Sequence, residues 1–348
     1  MPKIELRNAT IRNCHELNLT IRNGEYFVIV GETGAGKTTL LNMIAGVEKY
    51  TGSVLIDDVV VNPLPPFKRG VGYLFQELAL FPHFSVMANI GFGLKAQGYQ
   101  KTAIKERISF LLDLMQIRHL AGRFPHQISG GEKKRVALAR SLAPSPKTLL
   151  LDEPTSSLDP RTAKHLSSEL HDILKKLGVT TVHVTHDLKE AERISDRIAF
   201  MANGSIEQVA TPAAFFFDPA NTSVAEFIGM PNILECRQTR PLVSGLVEIV
   251  SDDLKIILPC NRRHIRKIAI PPDAVDISDV EPSELLLNHF VGTVEKIIQH
   301  NATVKLQISI GKNRLISELT ASAFMNMFIA KGTKVYGAIK MNRLRYIE

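Results

Sequence analysis

The sequence predicts a wound α/β domain followed by a small β-strand domain, and three observations support this fold class. Brief apolar runs alternate with helical stretches from residue 1 to about 230, as in a parallel sheet covered by helices. A glycine-rich loop directly follows the first strong apolar run, Tyr26–Val30. Beyond Ile233 the chain changes to short alternating strands separated by turns, a pattern typical of a small β-barrel.

The first predicted domain covers residues 1–230 and includes a helical insertion at about 85–135, where apolar residues recur with helical spacing. Its predicted strands are Tyr26–Val30, Val71–Leu74, Thr148–Leu151, Thr180–Thr185 and Arg197–Met201. The second predicted domain covers residues 233–348. Its predicted strands are Leu246–Val250, Leu254–Leu258, Lys267–Ile270, Phe290–Ile298, Ala302–Ile310 and Lys334–Lys340.

Length and composition are those of a globular protein with two domains: 348 residues, of which 45% are hydrophobic and 22% charged. No apolar run approaches the roughly 18 residues that span a bilayer, and the N-terminus lacks the apolar core of a signal peptide. The cysteines, Cys14, Cys236 and Cys260, have no metal-binding spacing. We therefore expect a soluble, cytoplasmic protein whose thiols stay reduced.

The net charge of +7 is modest, and the basic residues are scattered along the chain. Short basic clusters occur at Lys133–Arg135 and at Arg262–Lys267. A nucleic-acid surface would use such clusters, but a solvated face explains them better at this length. A nucleic-acid partner is therefore not expected.

The loop after the first strand fits the pattern G-x-x-x-x-G-K-[ST] of a phosphate-binding loop. Its residues are Gly31, Glu32, Thr33, Gly34, Ala35, Gly36, Lys37 and Thr38. Glycines let consecutive N–H groups curl around an anion, and Lys37 adds positive charge for the outer phosphates. The hydroxyl of Thr38 suits Mg²⁺, and a helix predicted at Lys37–Ala45 directs its positive end to the same phosphates. The loop thus predicts a site for ATP and Mg²⁺.

A second element is the predicted strand Thr148–Leu151, which leads into two carboxylates, Asp152 and Glu153. Ligands bind at the carboxyl ends of buried parallel strands. We expect Asp152 to hold Mg²⁺, directly or through water, and Glu153 to accept a proton from the water that attacks the γ-phosphate. Acidic residues commonly end strands, so this interpretation depends on the phosphate loop upstream.

A third element, Ser129-Gly130-Gly131-Glu132, satisfies the S-x-x-E capping box before a helix predicted at Lys133–Leu142. It could simply begin that helix. Two adjacent glycines are costly in that role, however, unless the bare backbone must approach another group. A capped helix N-terminus with exposed N–H groups suits a phosphate.

The segment Ile128–Val136, which contains this element, resembles the signature motif of ATP-binding-cassette (ABC) ATPases. Three further segments resemble motifs of the same family, in the family's order. Gln76 matches the Q-loop, Ser156–Asp159 the D-loop, and His186 the switch histidine. The resemblance covers residues 1 to about 230 and implies a phosphate-loop cassette with a RecA-like core and a helical subdomain.

In this family two cassettes dimerise head to tail. The resemblance therefore implies a homodimer in which ATP lies between Gly31–Thr38 of one copy and Ser129–Gly131 of the other. Asp159 of the D-loop is counted among the nucleotide-binding residues. Gln76 would touch Mg²⁺ and the attacking water, and His186 would contact the γ-phosphate, so that both act in catalysis with the general base.

The chain departs from the family pattern near its start. Cassettes usually stack an aromatic side chain on adenine from an early loop, but residues 1–25 contain no Phe, Tyr or Trp. Ile11 is the nearest apolar substitute. This departure predicts lower nucleotide affinity or looser base selectivity.

The cassette is not fused to a membrane domain, so an importer would recruit its pore from separate membrane subunits. By resemblance, the apolar segment Leu80–Val86 helps form the groove that takes a coupling helix from such a subunit. Packing of the helical insertion explains this segment equally well. We expect the protein at the cytoplasmic face of the cell membrane, with transmembrane permease subunits as partners and an extracytoplasmic substrate-binding protein as an indirect one.

A single cassette followed by an OB/TOBE-like β-barrel resembles the ATPase subunits of importers for sugars, sulfate, iron, polyamines, molybdate or tungstate. Within the barrel, Asn288–Val294 and Gly337–Lys340 resemble a small oxyanion-binding module. The resemblance predicts a molybdate or tungstate importer. Two alternatives remain open: the same role for sulfate, iron or polyamine import, and a soluble ABC-type regulator not linked to a membrane.

If the barrel is regulatory, a cytoplasmic oxyanion would bind it and inhibit uptake. Such a site needs backbone N–H groups, hydroxyls and a cation around a tetrahedral dianion. Ser317, Thr320 and Lys340 are the candidate ligands. The plainer interpretation is that Ser317 and Thr320 begin the following helix and that Lys340 is a solvated cation.

Overall fold

The computed structural model describes residues 2–242, 245–259, 265–281, 287–299 and 302–347. The chain divides into two compact units, Met1–Ala213 and Ala214–Glu348. Cys260 and the arginines at 262 and 263 lie outside the described residues. Among the helices of the described residues, none is long and apolar enough to cross a membrane.

The division between the units lies before residue 230, where the sequence analysis ended the first domain. The difference has a packing cause. Ala225 and Met230 share an apolar cluster with Ala269 and Ile347 of the second unit. The proline-punctuated segment after residue 213 therefore belongs with the β-strands that follow it.

The first unit contains ten described strands and six helices, besides the helix that straddles its end. The strands are β1 Ile4–Ile11, β2 Cys14–Ile21, β3 Tyr26–Val30, β4 Thr51–Ile56, β5 Val59–Val60, β6 Val71–Leu74, β7 Thr148–Asp152, β8 Thr180–Val184, β9 Arg197–Ala202 and β10 Ser205–Ala210. The helices are α1 Lys37–Ala45, α2 Val86–Ala96, α3 Lys101–Leu114, α4 Gly130–Leu142, α5 Pro160–Leu177 and α6 Leu188–Ile194.

The central sheet of this unit has the order β10–β9–β3–β8–β7–β6. The strands from β9 to β6 run parallel, and β10 joins β9 as an antiparallel edge strand. Every residue of β3, β7 and β8 is buried, as their apolar runs predict for strands covered on both faces. Because parallel strands end at one edge of a sheet, the residues that follow β3, β7 and β8 come together there.

A second, antiparallel sheet has the order β2–β1–β4–β5, and the sequence analysis did not predict it. The pairing of β1 with β2 shifts between Leu6 and Ala9 and again between Ala9 and Ile11. Such bulges interrupt the period of two by which a strand is recognised. Ile11 is only 5% exposed within the core. The expectation that Ile11 substitutes for an adenine-stacking ring is therefore wrong.

The helical insertion contains α2 and α3, which pack on each other and on α4. Ser85 caps α2, since its hydroxyl accepts a hydrogen bond from the backbone N–H of Ala88 at 3.2 Å. Helix α4 begins at Gly130, three residues before the predicted start at Lys133. The two glycines are therefore the first residues of the helix and not part of the loop before it.

The second unit is β-rich. Its described helices are α7 Pro212–Phe217, which straddles the division between the units, α8 Thr222–Phe227 and α9 Ala321–Met325. Its described strands are β11 Asn232–Glu235, β12 Gln238–Pro241, β13 Leu246–Ser251, β14 Leu254–Pro259, β15 Lys267–Ile270, β16 Val275–Ser278, β17 His289–Gln299, β18 Thr303–Ile310, β19 Asn313–Thr320, β20 Lys334–Ile339 and β21 Arg345–Ile347.

These strands form the small β domain that the sequence predicts. The described residues form three antiparallel sheets, of order β11–β15–β21, β12–β13–β14 and β16–β20–β17–β18–β19, and not one closed ladder. Ile249, Leu306 and Val335 are fully buried in a shared apolar core. Strand β19 was not predicted, and it changes the setting of Ser317 and Thr320.

Candidate active site

In the glycine-rich loop after β3, Gly36 has a backbone conformation and surroundings that favour glycine. This residue caps α1 with φ of 103°, in the left-handed region. A Cβ added there would lie 2.5 Å from Cys14 Sγ and 2.9 Å from Met201 Cε. No side chain caps α1, so the N–H groups of its first turn remain available to an anion.

Lys37 reaches back over the same loop. Its ammonium group donates hydrogen bonds to the carbonyl oxygens of Gly31 and Glu32, both at 2.8 Å. Burial lowers the pKa of Lys37, and the negative charges of Glu153 and Asp152 oppose that shift. Glu32, Thr33 and Gly34, by contrast, are exposed at the mouth of the loop. The loop thus presents a buried cation behind exposed backbone, which suits a phosphate chain.

Thr38 and Asp152 meet across α1 and β7. The hydroxyl of Thr38 donates to Asp152 Oδ1 at 3.1 Å. Burial raises the pKa of Asp152, while the Thr38 hydrogen bond and the Lys37 charge act in the opposite direction. A hydroxyl and a carboxylate side by side are ligands of the kind that Mg²⁺ prefers.

A cluster of three or more His, Cys, Asp or Glu side chains that could hold a metal is absent from the described residues. Mg²⁺ keeps several waters and is usually held by one or two protein groups together with substrate phosphates. The residues at Thr38 and Asp152 therefore fit the ion that the sequence analysis expected.

Glu153 and His186 lie within hydrogen-bonding reach of each other, with His186 Nδ1 3.3 Å from Glu153 Oε1. Glu153 directly follows β7 and adopts a left-handed φ of 47°. Its backbone N–H is held by the carbonyl oxygen of Val184 at 3.0 Å. A non-glycine residue in this conformation stores strain, which commonly marks a functional position. His186 is 66% exposed at its side chain and therefore accessible to a substrate.

Gln76, Glu153 and His186 line one cavity of about 360 Å³ together with the phosphate loop. The phosphate-loop residues in this lining are Thr33, Gly34, Gly36, Lys37, Thr38 and Thr39. The structure therefore brings together candidates from four separate segments of the sequence. Asn13 also lines this cavity, and the sequence analysis missed it. Asn13 lies in the turn between β1 and β2, so the sequence could have indicated its role only through a prediction of that hairpin.

Ser129 forms the predicted capping box at the start of α4. Its N–H donates to Glu132 Oε2 at 2.7 Å, and its hydroxyl accepts from the Glu132 N–H at 3.4 Å. The pKa of Glu132 is lowered by the hydrogen bonds that its carboxylate accepts from the N–H and the hydroxyl of Ser129. A Cβ added at Gly130 would meet nothing within 4 Å, and one at Gly131 would meet only Leu158 at 3.9 Å. Nothing in the described chain requires glycine at either position.

The structure does not bring Ser129, Gly130, Gly131 or Asp159 into the lining of the phosphate-loop cavity. Asp159 caps α5, and its Oδ1 accepts a hydrogen bond from the backbone N–H of Thr162 at 3.0 Å. Hydrogen bonds from the side chain and the backbone N–H of Thr162 lower the pKa of Asp159. Within one chain, the predicted nucleotide-binding residues therefore form two groups.

The three oxyanion candidates are all engaged within the second unit. Ser317 is fully buried in β19, where its hydroxyl donates to the carbonyl oxygen of Val275 at 2.5 Å. Thr320 caps α9 by accepting from the N–H of Ala323 at 3.2 Å. Lys340 pairs with Asp276 Oδ1 at 2.8 Å. The prediction that Ser317 begins a helix is wrong, because β19 continues through it.

Comparison with known proteins shows the family to which the chain belongs. A family model described as ABC transporter matches residues 14–156. The spermidine/putrescine import ATP-binding protein PotA of Pseudomonas fluorescens (strain Pf0-1) is 40% identical over 315 residues, covering 85% of this chain and 84% of the relative. The chain belongs to the ABC transporter family of ATP-binding proteins. Its resemblance to ABC ATPases is confirmed.

Two further similarities extend this result. The maltose/maltodextrin import ATP-binding protein MalK of Salmonella paratyphi A (strain ATCC 9150 / SARB42) is 35% identical over 329 residues, covering 91% of this chain and 88% of the relative. The dimeric structure of a post-hydrolysis state of the ATP-binding cassette MJ0796, bound to ADP and Pi, covers 61% of this chain and 99% of its own. That structure has a TM-score of 0.55 and 30% identity. This ABC protein is an ATPase, and its first unit has the cassette fold.

Proposed function

We propose that this ABC ATPase powers the import of polyamines such as spermidine and putrescine. The observation that carries the proposal is the similarity to PotA, which spans 85% of this chain. The first unit is shorter than that, because it ends at Ala213 of 348 residues. The similarity therefore extends into the second unit and is not limited to the cassette that all such ATPases share.

The molybdate or tungstate cargo expected from the sequence has no support among the relatives described above, which are polyamine and maltose importers. The polyamine alternative has more support than that main expectation. Similarity to MalK makes a maltodextrin the second candidate cargo. The soluble regulator remains without a relative to support it among these proteins.

Within the site, we assign the predicted roles to residues that line the phosphate-loop cavity and to Asp152, which is hydrogen-bonded to Thr38 of that lining. Lys37 neutralises charge on the outer phosphates, and Thr38 with Asp152 holds Mg²⁺, which supplies further positive charge during phosphoryl transfer. Glu153 is the general base, supported by its position beside His186. His186 and Gln76 contact the reacting end of the substrate from two other segments.

The second group of nucleotide-binding candidates supports a homodimer. A Cβ at Gly130 would meet nothing within 4 Å and one at Gly131 only Leu158 at 3.9 Å, and both glycines lie with Ser129 outside the phosphate-loop cavity. In a head-to-tail dimer they would close the partner's ATP site, so that ATP joins the two copies and hydrolysis releases them. The dimeric ABC cassette described above is consistent with this arrangement.

An aromatic surface beside the Q-loop supports docking to membrane subunits. Phe81 lies 4.6 Å from Phe92 and 5.5 Å from Phe84 between ring centroids. Arg140 of α4 holds this segment by donating to the carbonyl oxygens of Leu78 and Ala79, both at 2.7 Å. Phe92 is still 42% exposed. An amphipathic helix of a permease would bury this remaining apolar surface.

Uptake in a strain that lacks this gene tests the cargo. We expect loss of labelled spermidine and putrescine uptake, restored by the wild-type chain and not by Glu153→Gln. Uptake of maltose, molybdate, sulfate and iron should be unchanged. Normal polyamine uptake combined with loss of one of these other substrates would replace the polyamine proposal with that cargo.

Replacement of Glu153 by glutamine tests the catalytic assignment. The amide keeps the shape of the side chain but cannot accept a proton, so we expect turnover to fall by at least about 100-fold while ATP still binds. Steady-state phosphate release and ATP binding by calorimetry provide the two measurements. Size-exclusion chromatography with ATP should show a trapped dimer, and wild-type turnover would exclude Glu153 as the base.

A further inference from the structure

A buried carboxylate lies directly behind the hydrolysis pair. Glu190 of α6 is only 4% exposed. Its oxygens accept hydrogen bonds from two hydroxyls: Thr155 Oγ1 lies 3.1 and 3.2 Å from them, and Thr185 Oγ1 lies 2.7 Å from Oε2. A carboxylate at this depth persists only where polar partners replace water.

The two threonines flank the two candidate catalytic residues. Thr155 is two positions after Glu153, and Thr185 immediately precedes His186. Thr185 is itself fixed, because its N–H donates to Ile29 O at 3.1 Å and its hydroxyl accepts from the N–H of Asp187 at 3.1 Å. One carboxylate therefore bridges the segment that follows β7 and the segment that follows β8.

Positive charge balances this carboxylate from α4. Lys134 is buried, and its ammonium group donates to the carbonyl oxygen of Ser156 in the segment that follows β7. The charges of Glu190 and Glu153 oppose the fall in the pKa of Lys134 that burial causes. His183 Nε2 lies 3.8 Å from Glu190 Oε2, while His183 Nδ1 is 2.9 Å from the Tyr26 hydroxyl. The carboxylate is thus held by hydrogen bonds from both threonine hydroxyls, with His183 close to it and the charge of Lys134 acting on it electrostatically.

We propose that Glu190 is a positioning residue for ATP hydrolysis, which keeps Glu153 and His186 in their working arrangement by bridging Thr155 and Thr185. The inference rests on the roles proposed above for Glu153 and His186. Glu190 does not line the phosphate-loop cavity, so it acts through the two segments and not on the substrate. A displacement of about 1 Å at a reacting group can cost roughly 100-fold in rate.

Removing one hydroxyl from the bridge separates positioning from folding. Thr155→Val keeps the shape of the side chain and removes its hydrogen bond to Glu190, whereas Thr155→Ser keeps the bond. In the full-length protein we expect Thr155→Val to lower kcat at least tenfold, with KM and the Kd for ATP changed less than twofold. Thr155→Ser should restore kcat to within twofold of wild type.

Glu190→Gln tests the carboxylate itself, and Glu192→Gln on the exposed side of the same helix is the matched control. We expect Glu190→Gln to lower kcat at least tenfold and Glu192→Gln to leave it unchanged. Thr155→Val added to Glu190→Gln should lower kcat by less than a further twofold, because the bridge is already broken.

Three results would overturn the bridge: wild-type kcat in Thr155→Val, wild-type kcat in Glu190→Gln, or equal losses of kcat, ATP binding and thermal stability that serine does not restore. The last pattern is that of a residue needed only for folding. Glu153→Gln measured in parallel distinguishes the two levels of assignment. Normal turnover in Glu153→Gln would exclude Glu153 as the general base. An inactive Glu153→Gln together with a fully active Thr155→Val would exclude only the positioning role of Glu190.

Discussion

Two glycine-containing segments face phosphate in the proposed mechanism, and their surroundings differ. At the phosphate loop, Gly36 has a left-handed φ of 103° and lies against Cys14 and Met201 of its own chain. At the tip of α4, neither Gly130 nor Gly131 has a left-handed φ, and an added Cβ would meet nothing within 4 Å at Gly130 and only Leu158 at 3.9 Å at Gly131. The fold requires glycine in the first segment and tolerates any small residue in the second.

This difference indicates where each half of the site is completed. A glycine that the fold does not need, at the exposed start of a helix, lowers helix stability by up to about 1 kcal/mol relative to alanine. In the proposed dimer, that glycine leaves the backbone bare for the phosphate of the partner's nucleotide. In the proposed mechanism, one copy supplies the whole phosphate loop, whereas the start of α4 contacts nucleotide only in the dimer.

The largest effect is expected at Gly36. Gly36→Ala forces a side chain into a left-handed conformation, at about 1–2 kcal/mol, and into overlap with Cys14 Sγ, at about 1–3 kcal/mol. We expect the free energy of unfolding to fall by about 2–5 kcal/mol and ATP binding to be lost. Urea unfolding and nucleotide titration measure the two quantities.

Gly34→Ala is the control, because Gly34 has φ of 86° but a Cβ there meets nothing within 4 Å. Gly34→Ala should lower the free energy of unfolding only by the cost of the left-handed conformation, about 1–2 kcal/mol. Equal destabilisation by the two variants would mean that the packing against Cys14 contributes nothing, and the contrast between the segments would then rest on backbone conformation alone.

At the α4 tip the expected effects on stability and activity have opposite signs. Gly130→Ala and Gly131→Ala should each raise the free energy of unfolding, by up to about 1 kcal/mol, because alanine favours the helix. Turnover should nevertheless fall at least tenfold, since the added methyl group blocks the partner's phosphate. Unfolding of the isolated chain and phosphate release at a dimer-forming concentration measure these effects.

Gly122→Ala is the matched control for the tip. A Cβ at Gly122 also meets nothing within 4 Å, and its φ is not left-handed, but Gly122 is not among the residues proposed to contact the partner's nucleotide. It should leave turnover unchanged. If the α4 variants kept full activity, the site would not be shared between two copies.

The cassette could be predicted because its motifs and its strands are local. Each buried strand of the central sheet is a short apolar run, and each is followed at once by its functional residues, as Thr148–Asp152 is followed by Glu153. Parallel strands end at one edge, so sequence order alone predicts that these residues meet. The loop at Gly31–Thr38 and Glu153 were predicted in this way, whereas His186 was predicted from its resemblance to the switch histidine of ABC ATPases.

What the sequence analysis missed depends on contacts between distant segments. Bulges at Ala9 concealed the sheet that places Asn13 at the cavity. Glu190 carries no motif of its own, and only the structure shows that it joins Thr155 and Thr185. In the second unit, Ser317 was a reasonable hydroxyl ligand until β19 showed it to be buried.

The smallest effects are expected in the second unit, at Ser317, whose hydroxyl is already hydrogen-bonded within the chain. Ser317→Ala removes a buried hydrogen bond to Val275 and should lower the free energy of unfolding by about 1–2 kcal/mol. Lys340→Ala is the control, since its ion pair with Asp276 is 48% exposed on the lysine side, and it should change stability by less than about 0.5 kcal/mol. Neither variant should alter ATPase activity in millimolar molybdate or tungstate, because Ser317 has no face open to an anion. Calorimetry that showed molybdate binding to the wild-type chain, and no binding to Lys340→Ala, would support the oxyanion site again. The second unit would then resemble the start of α4 in having a site that is completed by a group from outside the chain.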